Sequence, residues 1–425
     1  MFLPLVPPPV QAPQPASIPA QLTLDQALSL LRARGLDLLL AEAAVGQAQG
    51  DLQASGALAA PQLGLTAGKA ENYQAQLPGQ SPRSYSATLS DGGSLDDLLV
   101  GRRRLRVRAA EAALRAAKLG REDALRTVGA LLKSQFVATA VAQLNLELAG
   151  QTRDSAHRTL ELVQKTCAAG ATSEVDVARA EIASLETEQT LESARQGLVT
   201  AKANLAFLLG ERGPVPEFTV AGSFDHPQVP EELLQATPER LLEVAREHRP
   251  DLAAARAQEE KYRTAVTLAR REWVPTTEWS LAVAQQGTGE NALQPRTWTI
   301  GVNIALPSPD KVGGDTSRAR ADLTVQQLTL RKAEAQAALD VSSGWAAYQS
   351  GRVRLAHMED RLLAQARKTY DAVQFQYERG AASLLDVLDA QRTWIATRNE
   401  YVQNLNDYWN GLFGLEQAVG KEFPR

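Results

Sequence analysis

The stretch YERGAASLLDVLDAQ, from Tyr377 to Gln391, decides how the rest of the chain is interpreted. It predicts the end of one helix, a turn at Gly380 and the start of a second helix, because glycine commonly follows a helix. Asp386 and Asp389 lie three residues apart in that second helix, and therefore on one face. Aspartate is unfavourable inside a helix, so two of them beside leucines and valines require an explanation.

An earlier segment of the chain repeats this pattern. AAGATSEVDVARAE aligns with ERGAASLLDVLDAQ, so that Asp176 corresponds to Asp386. RARGLDLLLAEA, from Arg32, aligns in the same way with REHRPDLAAARA, from Arg246. Matches at several points with a near-constant offset indicate that the chain contains one structural unit twice.

Each repeat predicts a helix, two strands, a long helix, a turn and a final helix. The first helix is predicted over 22–60, with Thr23 as its N-cap and Pro61 as its terminator. The long helices, about 98–165 and 317–378, would each reach roughly 90–100 Å, which is too long for burial in a compact globule. One seam recurs at intervals of seven residues, which is typical of coiled coils: Val177, Ser184, Leu191, Leu198 and Leu205.

Four segments alternate with period two and predict strands, at about 62–70, 84–90, 276–285 and 296–306. One face of these strands is apolar and the other is small or polar. Four strands are too few to close a barrel, but each is near the length needed to cross a bilayer at a tilt. The pattern alone leaves two interpretations open: a membrane barrel built from several copies, or a soluble β element that caps a helical bundle.

These elements divide the chain into five segments. They are a Pro-rich N-terminal arm (1–21), a first repeat (22–210), a connector (211–236), a second repeat (237–420) and a C-terminal tail (421–425). No Lys or Arg precedes Arg32, and Pro7, Pro8 and Pro9 interrupt the apolar start, so a signal peptide is not evident.

The composition argues against several functional classes. Net charge is −4, which does not favour binding to nucleic acid. A single cysteine, Cys167, excludes an intrachain disulfide and a cysteine-based zinc site, and the four histidines have no metal-ligand spacing. We expect no enzyme activity, no cofactor and no metal site, because no nucleophile–base pair is apparent. The one dense basic run, Gly101–Ala110, predicts a solvated helix face, with contact to phospholipid headgroups as the alternative.

The twofold repeat, the strand pairs between long helices, and the segments YERGAASLLDVLDAQ, LTLDQALSLLRARGLDL and APQLGL together resemble the TolC family of outer-membrane efflux proteins. The resemblance covers essentially residues 22–420. It implies a mainly α fold with duplicated antiparallel helical hairpins that form a coiled-coil tunnel, an equatorial connector, and four strands per protomer in a trimeric twelve-strand barrel.

The resemblance also implies a function. The homotrimer would be the outer-membrane exit duct of a tripartite efflux or type I secretion system, with a long periplasmic extension. Its partners would be outer-membrane lipid, a periplasmic adaptor and an inner-membrane pump. A soluble extracytoplasmic coiled-coil scaffold or adaptor is the alternative function, and the exported substrate cannot be deduced from the sequence.

The resemblance assigns roles to particular residues. Asp386 and Asp389 would ring the periplasmic gate, and Tyr377 with Asp176 would form a latch between hairpins. Ala382 stands where the family has an arginine that links neighbouring protomers, so the resemblance does not determine how strongly the tip is held closed. The hairpin turns at the tip are Gly170, Thr172, Gly380 and Ser383, and the lipid-facing strand residues are Leu281, Val283, Ile300, Val302 and Ile304. The alternative for the two aspartates is a helix cap at Asp386 and a solvated Asp389.

Overall fold

The computed structural model describes residues 18–71, 82–170, 172–222, 224, 229–286 and 296–424. The predicted arm therefore lies outside the described residues up to position 17, as does His226 of the connector. Two compact units are present: one comprises the described residues up to Ala41, Arg121–Pro250 and Glu334 onward, and the other comprises Glu42–Gly120 and Asp251–Ala333.

The described residues are mainly helical with a small sheet, which confirms the predicted fold class. The first repeat and the connector contain β1 (Gln21–Leu22), α1 (Leu24–Arg34), α2 (Leu36–Gly56), β2 (Gln62–Lys69), β3 (Arg83–Ser90), α3 (Ser94–Val100), α4 (Arg102–Ala168), α5 (Glu174–Leu208), β4 (Thr219–Val220) and α6 (Glu231–Leu234). The second repeat contains α7 (Pro238–His248), α8 (Pro250–Arg271), β5 (Thr276–Gln286), β6 (Thr297–Ala305), α9 (Pro309–His357), a π-helical turn (Met358–Leu362), α10 (Leu363–Glu378) and α11 (Leu384–Val419).

The single helix predicted over 22–60 is wrong. Leu22 belongs to β1, which pairs in parallel with β4, and Thr23 then caps α1 in a reciprocal capping box with Gln26. The helix breaks at Gly35, whose backbone is extended in ψ (φ −56°, ψ 120°). A Cβ at Gly35 would lie 2.6 Å from the carbonyl oxygen of Leu31, so only glycine fits this bend.

The long helix of the second repeat also begins earlier than predicted, at Pro309, because proline is well tolerated in the first turn.

The sheet is antiparallel, with the strand order β2-β3-β5-β6. Its register aligns the apolar side chains of all four strands: Leu281 lies opposite both Leu89 and Ile300, and Val302 lies opposite Trp279. Small and polar residues align in the same way, as in the pair of Ser280 with Gly301. Because side chains alternate between faces, the sheet has one apolar and one polar face.

Helices α9 and α11 pack closely against each other in the core of the first unit. Gly411 of α11 lies against the backbone of Tyr348 in α9, where an added Cβ would be 3.0 Å from the Tyr348 Cα atom. Gly351 of α9 lies in the same way against Tyr408, with a corresponding distance of 2.9 Å. The rings of Tyr348 and Tyr408 are 5.7 Å apart and fully buried. Glycine thus lets the two backbones approach while aromatic rings fill the neighbouring space.

A second apolar cluster in the same unit joins α1, α4, α5 and β4. Leu31, Phe136, Leu205 and Phe218 are all almost completely buried in it. Among the described helices, none has an apolar stretch long enough to cross a membrane.

We predict that Gly411→Ala lowers the free energy of unfolding by about 1–3 kcal/mol, because the added methyl group would press on the Tyr348 backbone. Gly414→Ala is the matched control on the same helix: a Cβ there meets nothing within 4 Å, and alanine is favoured over glycine in helices by about 1 kcal/mol. Thermal unfolding followed by circular dichroism should give a lower midpoint for the first variant only. Equal midpoints would contradict the close approach of α9 and α11.

Candidate functional site

The residues predicted to form a gate lie where the helical hairpins of the first unit turn. Gly170 ends the turn after α4 with φ +76°, and Gly380 follows α10 with φ +74°. Both values favour glycine because a Cβ is strained in the left-handed region. Ser173 and Ser383 then cap α5 and α11, each accepting a hydrogen bond from the backbone N–H three residues later.

Asp386 completes a capping box at the start of α11. One carboxylate oxygen, Oδ2, accepts hydrogen bonds from the Ser383 hydroxyl at 2.7 Å and from the Ser383 backbone N–H at 2.9 Å. The hydroxyl contact, and after it the backbone contact, lower the pKa of Asp386 below its ordinary value. The side chain is exposed and charged at neutral pH. Capping and exposure therefore coexist at this residue.

Asp389 lies one helical turn further along α11 and is also exposed. Within the described part of the chain, neither Asp386 nor Asp389 forms an ion pair with a basic side chain. Both carboxylates line two open grooves, of about 630 and 480 Å³. Arg361 lines the first groove, and Arg179 and Arg392 line the second. Two unpaired carboxylates on one helix face can attract cations from solution.

Tyr377 is half-buried against a small apolar cluster that contains Val163, Ala180 and Leu384. Its hydroxyl is buried and has no hydrogen-bond partner among the described residues. Burial raises the pKa of Tyr377; the nearby Thr166 hydroxyl opposes this rise and the negative charge of Asp176 adds to it.

Asp176 is engaged locally instead. Its carboxylate accepts a hydrogen bond from the Ser173 hydroxyl at 2.9 Å and pairs with Arg179 at 3.4 Å. Tyr377 and Asp176 are therefore electrostatic neighbours, but the structure contains no hydrogen bond between them. The predicted latch role of this pair stays a prediction.

A link between the hairpins that sequence reasoning missed lies one heptad before Tyr377. The hydroxyl of Tyr370, on α10, is 2.8 Å from that of Ser155, on α4, and Tyr370 is buried. Further along α11, Arg398 donates to the side-chain oxygen of Gln151 on α4 at 2.9 Å. The seven-residue spacing of Tyr370 and Tyr377 could have indicated that both tyrosines lie on one seam of α10, but it does not identify Ser155 as the partner.

The other predicted turn residue, Thr172, places its hydroxyl 3.1 Å from that of Thr166 and thereby joins the turn to the end of α4.

Within the described ranges, no three His, Cys, Asp or Glu side chains group together as a set that could hold a metal ion.

Comparison with known proteins gives consistent matches. The sequence pattern described as outer membrane efflux protein matches residues 27–211 and again 241–421. The chain is 25% identical over 419 residues to the cobalt-zinc-cadmium resistance protein CzcC of Cupriavidus metallidurans, which covers 96% of this chain and 92% of that protein. It is 28% identical to the pyoverdine export outer membrane protein OpmQ of Pseudomonas aeruginosa, over 93% of this chain and 85% of OpmQ.

Solved structures share the fold. The structure of CusC, described in connection with transmembrane channel formation, superposes with a TM-score of 0.77 at 18% identity and covers 94% of this chain and 92% of CusC. The open state of the Neisseria gonorrhoeae MtrE outer membrane channel gives a TM-score of 0.77 at 19% identity, over 95% of this chain and 90% of MtrE.

We predict that the Ser155–Tyr370 hydrogen bond couples the two hairpins by about 0.5–1.5 kcal/mol. Tyr370→Phe and Ser155→Ala should each speed hydrogen–deuterium exchange in α10, because each removes the same contact. The double variant should be little worse than either single variant, since neighbouring residues that share one interaction are not additive. Fully additive effects in this double-mutant cycle would show that the two hydroxyls do not act as a pair.

Proposed function

Because this chain belongs to the outer membrane efflux protein family, we propose that three copies of it form the outer-membrane exit duct of a tripartite efflux or type I secretion system. The observation that carries the proposal is the register of the sheet, which gives one chain a continuous apolar face next to two edges that no described strand pairs with. Such a sheet is incomplete as a unit and suited to joining copies of itself.

Closure of the sheet supplies the physical argument for the trimer. The outer strands β2 and β6 have one edge each that no described strand of the same chain pairs with. Lipid tolerates no unpaired backbone edge, so a membrane-embedded sheet must close into a ring. Three copies would supply twelve strands, with β2 of one protomer paired to β6 of the next, and a ring of that size encloses a lumen.

The faces of the sheet then acquire roles. Ile300, Val302 and Ile304 lie on the apolar face and are 46–78% exposed in the single chain. In the ring they would face lipid, together with Leu281 and Val283. Thr299, Gly301 and Asn303, on the opposite face, would line the water-filled lumen, as is usual in membrane barrels.

The helical part would extend into the periplasm and meet an adaptor and an inner-membrane pump. Relatives of similar identity are named for cobalt, zinc and cadmium resistance and for pyoverdine export. Because relatives with one fold are named for such different cargoes, we propose that the partner pump, and not the duct, selects the exported substrate.

The hairpin ends would form the gate of this duct. In a trimer, Asp386 and Asp389 would contribute two stacked rings of three carboxylates. The Ser383 contacts position Asp386 and keep it ionised, because they lower its pKa. Carboxylate rings at a constriction favour cations. Tyr377, Asp176 and the Ser155–Tyr370 contact would hold the hairpins closed.

Two neighbouring substitutions on β6 test the duct. Val302→Arg should abolish assembly of a detergent-extracted trimer in the membrane fraction, because a charge on the lipid face costs about 2–4 kcal/mol per copy at mid-bilayer. Asn303→Arg should be tolerated, since it faces the opposite side and lies across from Glu278 of β5. The measurement is trimer yield by native mass spectrometry. Equal tolerance of both variants, or a wild-type protein that is a stable monomer without detergent, would overturn the proposal in favour of a soluble scaffold.

A charge-only substitution tests the gate. Asp386→Asn with Asp389→Asn should weaken block by trivalent cations in planar-bilayer recordings by about tenfold or more and reduce cation selectivity. Glu174→Gln is the matched control, because it removes an exposed carboxylate from the first turn of α5, the helix that corresponds to α11 in the first repeat. The control should keep the block. Unchanged block and selectivity in the double variant would leave Asp386 as a helix cap alone.

A further inference from the structure

The short helix α3 exposes its apolar face and buries a charged side chain, which is the reverse of the usual arrangement in a helix that faces water. Leu95, Leu98 and Leu99 fall on one face by their spacing and are 50, 57 and 82% exposed. Asp96, on the other side, is only 4% exposed. A helix against water normally buries its apolar face and exposes its charges. Here the polar side points to the protein and the leucines point away from it.

A buried polar network fixes this orientation. Asp96 forms an ion pair with Arg102 at the start of α4, and both side chains are buried. Arg102 also donates to the Val274 carbonyl oxygen, and the Thr277 hydroxyl donates to Asp96 at 3.1 Å. Rotating the leucines inward would turn Asp96 away from the protein and would remove the carboxylate partner of the buried Arg102 guanidinium, which is strongly unfavourable.

The helix lies at one defined end of the sheet. It begins shortly after β3 ends at Ser90, and its network contacts Thr277 at the start of β5. Trp273 and Val274, just before β5, are also exposed, at 50 and 41%. The exposed apolar side chains of α3 and of this segment therefore lie at the helix-proximal end of the sheet.

Basic side chains accompany these apolar residues. Arg104, in the first turn of α4, and Arg270, in the last turn of α8, are exposed and make no ion pair or hydrogen bond to the described residues through their side chains. Arg271 donates to the Val100 carbonyl oxygen, which joins the end of α8 to the end of α3. Glu272 is an exposed acidic residue in the same segment. Leucines and a tryptophan beside free arginines suit the boundary between acyl chains and phosphate groups.

We propose that α3 and the Trp273–Val274 segment form a membrane anchor in the phospholipid headgroup layer on the periplasmic side of the outer membrane. The leucines reach the acyl boundary, and Arg104 and Arg270 bind lipid phosphates. The anchor rests on the proposed function, because the membrane-embedded sheet brings this end to the bilayer surface. Charge complementarity and the position next to the end of the sheet that would enter the membrane favour lipid as the occupant over a second copy of the chain.

The test uses depth-dependent fluorescence quenching. In a Cys167→Ser background, Leu98→Cys carries a fluorophore, and the full-length trimer is reconstituted into phosphatidylethanolamine and phosphatidylglycerol vesicles that contain brominated acyl chains. We expect quenching at this site at least about twofold stronger than at Val325→Cys. Val325, on α9 in the same unit, is similarly exposed, at 63%, and serves as the matched control.

A third label separates failure of the anchor from failure of the duct. Val302→Cys, on the sheet, should be quenched whenever the protein has inserted. Quenching at 302 without quenching at 98 overturns the anchor and leaves the duct intact, whereas no quenching at either site overturns both. A probe at 98 that is shielded from brominated lipid and from aqueous iodide alike shows that a second copy covers α3, which also overturns the anchor.

A second experiment tests whether Arg104 and Arg270 bind lipid phosphates. Quenching at position 98 should rise when phosphatidylglycerol is added to phosphatidylcholine vesicles, and Arg104→Gln with Arg270→Gln should abolish that rise. Arg331→Gln with Lys332→Gln, which removes two exposed charges from α9 in the same unit, should preserve it. A rise that survives the Arg104 and Arg270 substitutions would overturn the assignment of these arginines to lipid phosphates.

Discussion

The constraint on which the molecule depends is the set of backbone hydrogen bonds that its sheet cannot make alone. Four antiparallel strands leave one edge of β2 and one edge of β6 without a partner strand in the described part of the chain. The aligned apolar face adds a second demand, because in water it would drive aggregation. In the proposed trimer, pairing with copies of the same chain would meet the first demand, and lipid would meet the second. The proposed assembly and the membrane location therefore both follow from the sheet.

Glycine shapes the turns and the helix contacts for two different reasons, which are left-handed backbone at the turns and close approach in the core. Left-handed backbone at Gly170 and Gly380 reverses each hairpin, and a serine three residues before an aspartate then restarts the helix. In the core, Gly351 and Gly411 bring the α9 and α11 backbones together. The duplicated sequence thus uses the same local solution twice at the hairpin ends.

Local signals made much of this predictable. The strands follow from period-two alternation, and the turn at Gly380 follows from a single glycine between two helical patterns. The strand at the start of the first repeat was not predictable, because β1 pairs with β4, a segment far along the chain, whereas the break at Gly35 had a local signal in the glycine that follows Arg32 and Arg34. The Ser155–Tyr370 contact joins residues 215 apart, and no local pattern specifies which hydroxyls meet. The capping role of Asp386 is one of the two alternatives that the sequence predicts, and the Ser-x-x-Asp spacing is its signal.

That role bears on the question raised by the two aspartates. Capping uses Oδ2 of Asp386, while Oδ1 takes no part in the Ser383 contacts and the side chain remains exposed. The hydrogen bonds that stabilise the helix start also lower the pKa of the carboxyl group, so its charge persists to lower pH than that of a free aspartate. A helix cap and a gate carboxylate are therefore not competing interpretations. The cap holds the carboxylate in one place and in one charge state, which is what a constriction that selects by charge requires of its lining.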